Sequence, residues 1–285
     1  FLVLTVMGSA VAFVVQQRGG GLVSVAQLAV GERVGNAVIS YVRYLGKMVW
    51  PAGLAVYYPH PRGWPWWEVA GAAMVLAGVT WLVLWARRRR PYLAVGWLWY
   101  VGTLVPVIGL VQIGDHALAD RYTYLPLIGM FILVVWGVGE LLAGWRRGSW
   151  VLGVMSVGVL LGCLGGTWMQ LKHWRNSITL FEHALAVTTN NYLAHDNLGV
   201  ALVQQGKVTE AIRHYEEALQ IKPEHANAHH NLGIALSQLG RELEAMSHYE
   251  QAVRLMPEFA EAHNNLGIAL VRQGRVVEAM GHYEQ

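Results

Sequence analysis

The 285-residue chain has little charge and almost no cysteine. Its one cysteine, Cys163, excludes a disulfide within the chain and leaves the redox compartment unreadable. Lys, Arg, Asp and Glu make up 14% of the residues against 54% hydrophobic, and the shortage is regional. Tryptophan is absent beyond Trp174, although 13 precede or occupy that position. Despite 32 glycines there is no Gly-rich phosphate loop and no nucleophile elbow, which removes the commonest nucleotide-binding and serine-hydrolase readings. There is neither a starting Met nor a signal-peptide layout, so the chain is expected to be an internal piece of a longer protein.

Residues 1–171 carry 12 Lys+Arg against 5 Asp+Glu, a net +7, whereas residues 172–285 carry 9 against 13, a net −4. The positive charge therefore flanks apolar runs, and the pI near 9.0 does not point to nucleic acid. The first block reads as a membrane block. A helix needs about 20 apolar residues to cross the roughly 30 Å hydrocarbon core. Residues 1–15 form a partial span, and full spans are expected at about 67–86, 92–112, 122–142 and 149–171. The intervening segment 16–66 is expected to be interfacial, with an amphipathic helix near Glu32 to Met48 and a short apolar piece ending at Tyr57-Tyr58-Pro59. Trp64, Trp66, Trp67, Trp145, Trp150, Trp168 and Trp174 fall near span ends, where indole rings prefer the headgroup boundary.

Basic clusters resist translocation, so Arg87–Arg90 and Arg146-Arg147, two spans apart, are both placed on the cytoplasmic side. Parity then puts the loop Ile113 to Arg121 and everything after residue 171 on the non-cytoplasmic side, periplasmic or luminal.

That later part repeats. Asn-Leu-Gly starts at Asn197, Asn231 and Asn265, and Leu202, Ala211, Tyr215, Ala218 and Pro223 return 34 residues on as Leu236, Ala245, Tyr249, Ala252 and Pro257. This is the tetratricopeptide (TPR) period. Residues 172–191 are expected to be a degenerate repeat helix or connector, followed by an array at 192–225, 226–259 and 260–285, the last one cut short. The expected fold class is thus all-α, a multispan transmembrane helical block followed by a TPR α-solenoid.

Two places invite a functional reading. Asp120 and Arg121 sit where a span enters the bilayer, and a planar guanidinium there suits a lipid phosphate, with His116 and Asp115 as proton donors or acceptors. The competing reading has Asp120 capping the next helix while Arg121 snorkels. In the array, Asn197, Asn231 and Asn265 share one position on each first helix, facing the inner curve. There a carboxamide can pair with a peptide group without reading its side chain. The competing reading is ordinary consensus that stacks helices. Twelve histidines tempt a metal reading, but His195, His229 and His263, like His214, His248 and His282, are register copies. No carboxylate or cysteine completes a set in the sequence, and no metal is expected.

The order Tyr-x-x-Tyr-Leu (Tyr41 to Leu45), Trp50-Pro51, Tyr57-Tyr58-Pro59, and then Ala119-Asp120-Arg121-x-x-Tyr124-Leu125-Pro126 before two spans and TPR units resembles the TMTC family. That family comprises multispan TPR proteins regarded as GT-C protein O-mannosyltransferases. The resemblance implies transfer of a sugar from a polyprenyl-phosphate carrier to protein hydroxyls, with no bound cofactor and a polypeptide and the lipid bilayer as partners. Asp120, Arg121, Tyr124 and His116 would then belong to the site for the donor's phosphate. The outer loop that carries the catalytic carboxylate in GT-C enzymes has no counterpart here, so the catalytic residue is unknown. The three Asn are also similar to the ladder of the O-GlcNAc transferase TPR superhelix. The alternative is a non-enzymatic, membrane-anchored TPR adaptor.

Overall fold

The computed structural model describes residues 29–61, 63–109 and 116–284. The expected partial span 1–15 and Asp115 lie outside them. The chain divides into two compact units that meet at Gln170 and Leu171.

The first unit begins with α1 (Val30–Val49), whose buried stripe Asn36, Ser40 and Tyr44 follows the i, i+4, i+8 spacing of one helix face. Next come the short strand β1 (Tyr58–Pro59), then α2 (Trp66–Ala86) and α3 (Pro91–Leu104). Strand β2 (His116–Leu118) pairs antiparallel with β1, Tyr58 facing Leu118 and Pro59 facing His116. Tyr58 and Pro59, expected at the end of a short apolar piece, are thus tied into a two-stranded ladder. A 3-10 turn (Asp120–Thr123) leads into α4 (Tyr124–Leu142), and α5 (Gly148–Leu171) closes the unit.

Among the described residues three helical stretches, Trp66–Ala86, Asp120–Leu142 and Gly148–Leu171, are long and apolar enough to cross a membrane. The expected span 92–112 departs from this. Its helix stops at Leu104, two residues before Pro106, which has no N–H to extend the backbone ladder. At 14 residues α3 covers about 21 Å, short of a bilayer core. It lies against α4 at very close range. A Cβ on Gly96 or on Gly129 would collide with the other's carbonyl oxygen, the small-residue approach by which helices pack where water supplies no driving force.

The second unit opens with α6 (Ser177–Val187), capped by Asn176, whose Oδ1 accepts from Thr179 N at 2.9 Å. Ser177, Phe181 and Ala184 stand 34 residues before Ala211, Tyr215 and Ala218, so α6 occupies the second-helix place of a repeat. Three helix pairs follow: α7 (Tyr192–Gln204) with α8 (Val208–Ile221), α9 (Ala226–Gln238) with α10 (Glu242–Leu255), and α11 (Ala260–Arg272) with α12 (Val276–Tyr283).

Each pair breaks at a glycine in the left-handed region, Gly206 (φ 78°), Gly240 (φ 76°) and Gly274 (φ 77°). The next amide returns to the last helical turn, as in Lys207 N to Leu202 O at 2.9 Å. Leu198, Leu202, Tyr215, Leu232, Leu236, Tyr249, Leu266 and Leu270 form one continuous core through the stack. The expected all-α architecture is therefore what the chain adopts, apart from one short ladder among the described residues.

Candidate functional site

Helix α1 and the 116–123 segment are far apart in sequence and joined in space. Tyr44 accepts from Ala119 N at 3.0 Å and donates to Ala119 O at 3.1 Å, while Asn36 donates to Ala117 O at 2.8 Å and accepts from Trp64 Nε1 at 3.2 Å. These bonds fix β2 against the buried face of α1 and bring the Asp120 carboxylate over Lys47. Lys47 Nζ lies 2.8 Å from Asp120 Oδ1, and Tyr58 donates to Asp120 Oδ2 at 2.7 Å. The Tyr58 oxygen also accepts from Ala55 N at 2.7 Å and from the Lys47 ammonium, which lies over the Tyr58 ring.

Burial lowers the Lys47 pKa, and the bond and charge of Asp120 oppose the fall. Burial raises the Tyr58 and Tyr44 phenols above their ordinary value, with the Asp120 charge adding to the rise, so both stay protonated donors. Tyr41 is pushed up to about 12 by burial, with its hydroxyl on Val101 O at 2.8 Å.

Asp120 does not cap the following helix. The 3-10 turn has no side-chain cap, and the carboxylate is turned to Lys47 and Tyr58. Arg121 is exposed, with its guanidinium 5.2 Å from the centre of the Tyr122 ring. His116 sits on β2 with Nε2 3.3 Å from the Tyr122 hydroxyl. Tyr124 is 78% exposed at the start of α4, outside the Asp120 cluster. The structure thus joins Asp120 to Lys47 and Tyr58 rather than to Arg121 and Tyr124. Lys47 and Tyr58 fall in the segment read from the sequence as interfacial and, like Asn36, were not joined to the Asp120 site there. The readable signal was Asn36, Ser40, Tyr44 and Lys47 on one helix face.

At the opposite end of α4, Glu140 accepts from Arg90 Nε at 2.9 Å and from the Tyr92 hydroxyl at 2.6 Å. The Arg87–Arg90 cluster and the loop before Arg146 therefore share one end of the unit, and Asp120 the other.

In the array, Asn231 Nδ2 donates to Asp196 Oδ1 at 2.9 Å, and Asn265 Nδ2 lies 2.8 Å from His230 Nε2, each reaching back to the preceding repeat. Asn197, the first of the row, donates to Leu193 O of its own helix at 2.7 Å. Asn265 also lines a recess of about 250 Å³ with Glu242, Tyr249, Ile268 and Arg272.

Tetratricopeptide-repeat family models match residues 201–240, 243–274 and 225–256. Human protein O-mannosyl-transferase TMTC4 is 32% identical over 130 residues, 44% of this chain and 17% of that protein. Mouse protein O-mannosyl-transferase TMTC1 is 31% identical over 156 residues, 52% of this chain and 17% of that protein. The chain is similar to TMTC proteins over about half of its length. It spans about a sixth of the length of these relatives.

Two solved structures align with parts of this chain at low scores. A crystal structure of MamA is 24% identical over 42% of this chain and 71% of that one, with a TM-score of 0.37. The second TPR of Spaghetti (RPAP3) bound to an HSP90 peptide is 22% identical over 33% of this chain and 87% of that one, with a TM-score of 0.32.

Proposed function

We propose that the chain is part of a membrane glycosyltransferase-like protein that moves a sugar from a polyprenyl-phosphate carrier to protein hydroxyls, while its TPR array holds the polypeptide. The similarity to protein O-mannosyl-transferases supports the reaction class. The observation that carries the local assignment is the Lys47–Asp120–Tyr58 anchor. With the carboxylate neutralised there, the adjacent Arg121 is left exposed at the segment's rim, in no ion pair among the described residues, as a planar donor for a phosphate. His116 and Tyr124 flank it, on β2 and at the first turn of α4.

The array lies on the non-cytoplasmic side in this reading. The two basic clusters mark the cytoplasmic end, and α4 and α5 each cross once, returning the chain to the side of Asp120. The recess beside Asn265 and the carboxamide oxygens of Asn231 and Asn265 offer acceptors to an extended backbone.

A second reading, a non-enzymatic adaptor, is favoured by one feature. The Asp120 carboxylate already holds an ammonium and a phenol, which leaves it poorly placed to take a proton from an acceptor hydroxyl. Sugar transfer by the full-length protein separates the two. Arg121→Ala should lower it at least about tenfold, with Arg121→Lys between, since the ammonium keeps the charge and loses the fork. Unaltered transfer in a folded Arg121→Ala protein removes Arg121 from the site.

A further inference from the structure

We propose that the first repeat holds a divalent transition-metal site of zinc type, formed by His195 Nδ1, His214 Nδ1 and Glu217 Oε2. The assignment is independent of the glycosyl-transfer reading. His214 and Glu217 stand one turn apart on α8, and His195 faces them from α7, across the interface inside one repeat.

The three atoms form a nearly equilateral triangle with edges of 3.2 Å between the two nitrogens and 3.0 and 3.1 Å from them to the oxygen. Zinc bonds of about 2.0–2.2 Å to imidazole and carboxylate set neighbouring ligands of a tetrahedral shell about 3.4 Å apart. An ion capping this triangle therefore needs each edge to open by only a few tenths of an ångström. Two imidazoles and one carboxylate are the donor set that suits zinc and its first-row neighbours rather than calcium or magnesium. The side chains of His195 and His214 are 18% and 13% exposed and that of Glu217 38%, so the nitrogens are held within the repeat and water can reach a fourth position.

The other repeats act as an internal control. The imidazole pair recurs as His229–His248 at 3.0 Å and His263–His282 at 2.9 Å. There His229 Nε2 and His263 Nε2 each lie 3.0 Å from the carbonyl oxygen of Pro223 and Pro257. Donation from Nε2–H leaves Nδ1 bare in a neutral ring, and His248 and His282 then supply the Nδ1–H. Those pairs close with one proton and no third partner. At the place of Glu217 they carry Gln251 and Gln285. Among the described residues the first repeat alone brings a carboxylate to this point, where three potential ligand atoms lie within 3.2 Å of one another. From sequence spacing the histidines lacked such a partner, and folding supplies it.

The test uses the whole chain in detergent, stripped with a chelator and titrated with Zn²⁺ and, for its visible absorption, Co²⁺. The expected result is saturable binding of Zn²⁺ that displaces Co²⁺ from a tetrahedral spectrum and raises the unfolding midpoint of the repeat unit. Glu217→Gln, which rewrites the first repeat as a copy of the second, should weaken Zn²⁺ at least about tenfold, since losing a ligand costs no less than losing its orienting partner. Its metal-free unfolding midpoint should match the wild type, and His248→Ala should leave the affinity unchanged. Zn²⁺ affinity unchanged in Glu217→Gln overturns the assignment. So does a wild-type chain with no saturable binding, or a loss of binding that follows His248→Ala instead.

Discussion

Lys47 Nζ and Asp120 Oδ1 lie 2.8 Å apart although 73 residues separate them, and this contact ties α1 to the turn that starts α4. The two side chains are 18% and 29% exposed, so removing one leaves the other charge partly desolvated. Lys47→Ala and Asp120→Ala should each cost about 1–3 kcal/mol. The double variant should cost clearly less than their sum, as read by a double-mutant cycle in detergent. Strict additivity would show that the pair contributes nothing beyond its separate surroundings.

Gly233 meets Tyr249 where α9 crosses α10. A Cβ there would fall 2.6 Å from Tyr249 Cε1 and 3.1 Å from the Ala245 carbonyl oxygen, and Gly199 stands the same way to Tyr215. Overpacking of this kind costs about 1–3 kcal/mol, so Gly233→Ala should lower the unfolding midpoint of the repeat unit. Tyr249→Leu in the same chain should recover part of the loss. A Gly233→Ala chain as stable as wild type would mean that the ring moves aside freely.

The repeat unit was the more legible half. Its 34-residue period fixes Leu, Gly, Ala and Tyr at set places, and any chain that satisfies all of them must pack as helix pairs. The first unit was legible where apolar length alone decides, as in the candidate spans Trp66–Ala86 and Gly148–Leu171. Within 92–112 the helix ends at Leu104, two residues before Pro106, which lacks the N–H to extend the ladder, and hydropathy alone does not register that break. The Asp120 anchor was hidden for another reason. Lys47 and Tyr58 meet Asp120 only after β1 and β2 pair, and a two-residue strand leaves no periodic trace. Glu217 was overlooked because its partner His195 sits on another helix, and register copies made all the histidines look alike.

Acid should loosen the repeat unit. Burial lowers the pKa of His229, His248 and His282. The facing rings His229 and His263 add to this for His248 and His282, and His225 and Arg254 for His229. The Pro223 carbonyl opposes it at His229, Glu244 at His248, and Glu250 and Glu278 at His282. Unfolded, these rings titrate near 6.5. Between that value and the lowered folded ones the unfolded chain binds more protons, so stability falls with falling pH. The unfolding midpoint should therefore drop between about pH 7.5 and about pH 5, and His248→Gln should flatten the drop. A midpoint constant across that range would sink the idea.

The asparagines should separate scaffolding from recognition. Asn265→Ala removes a bond between repeats and should cost about 0.5–1.5 kcal/mol, whereas Asn197→Ala, whose amide bonds its own helix, should be nearly neutral. If the row also holds a polypeptide backbone, changing all three to Ala should weaken peptide capture by more than the stability loss explains, as measured below the unfolding transition. Equal affinity would confine the row to stacking.

The sidedness of the array can be settled by an impermeant maleimide on intact cells. Cys163, exposed on α5, must first be replaced by alanine. Gly148 is a poor reporter position, because a Cβ there would run into the Leu142 carbonyl, whereas Gly144 has open space and sits in the same loop as Arg146. Gly144→Cys should stay unlabelled until lysis and Gln220→Cys, exposed on α8, should react at once. If α4 and α5 each cross once, as proposed, Asp120 and the array lie on one side, so labelling at Gly144 with protection at Gln220 would turn both inward. A carrier lipid presented on the outer face could then reach neither Arg121 nor an acceptor held by the repeats.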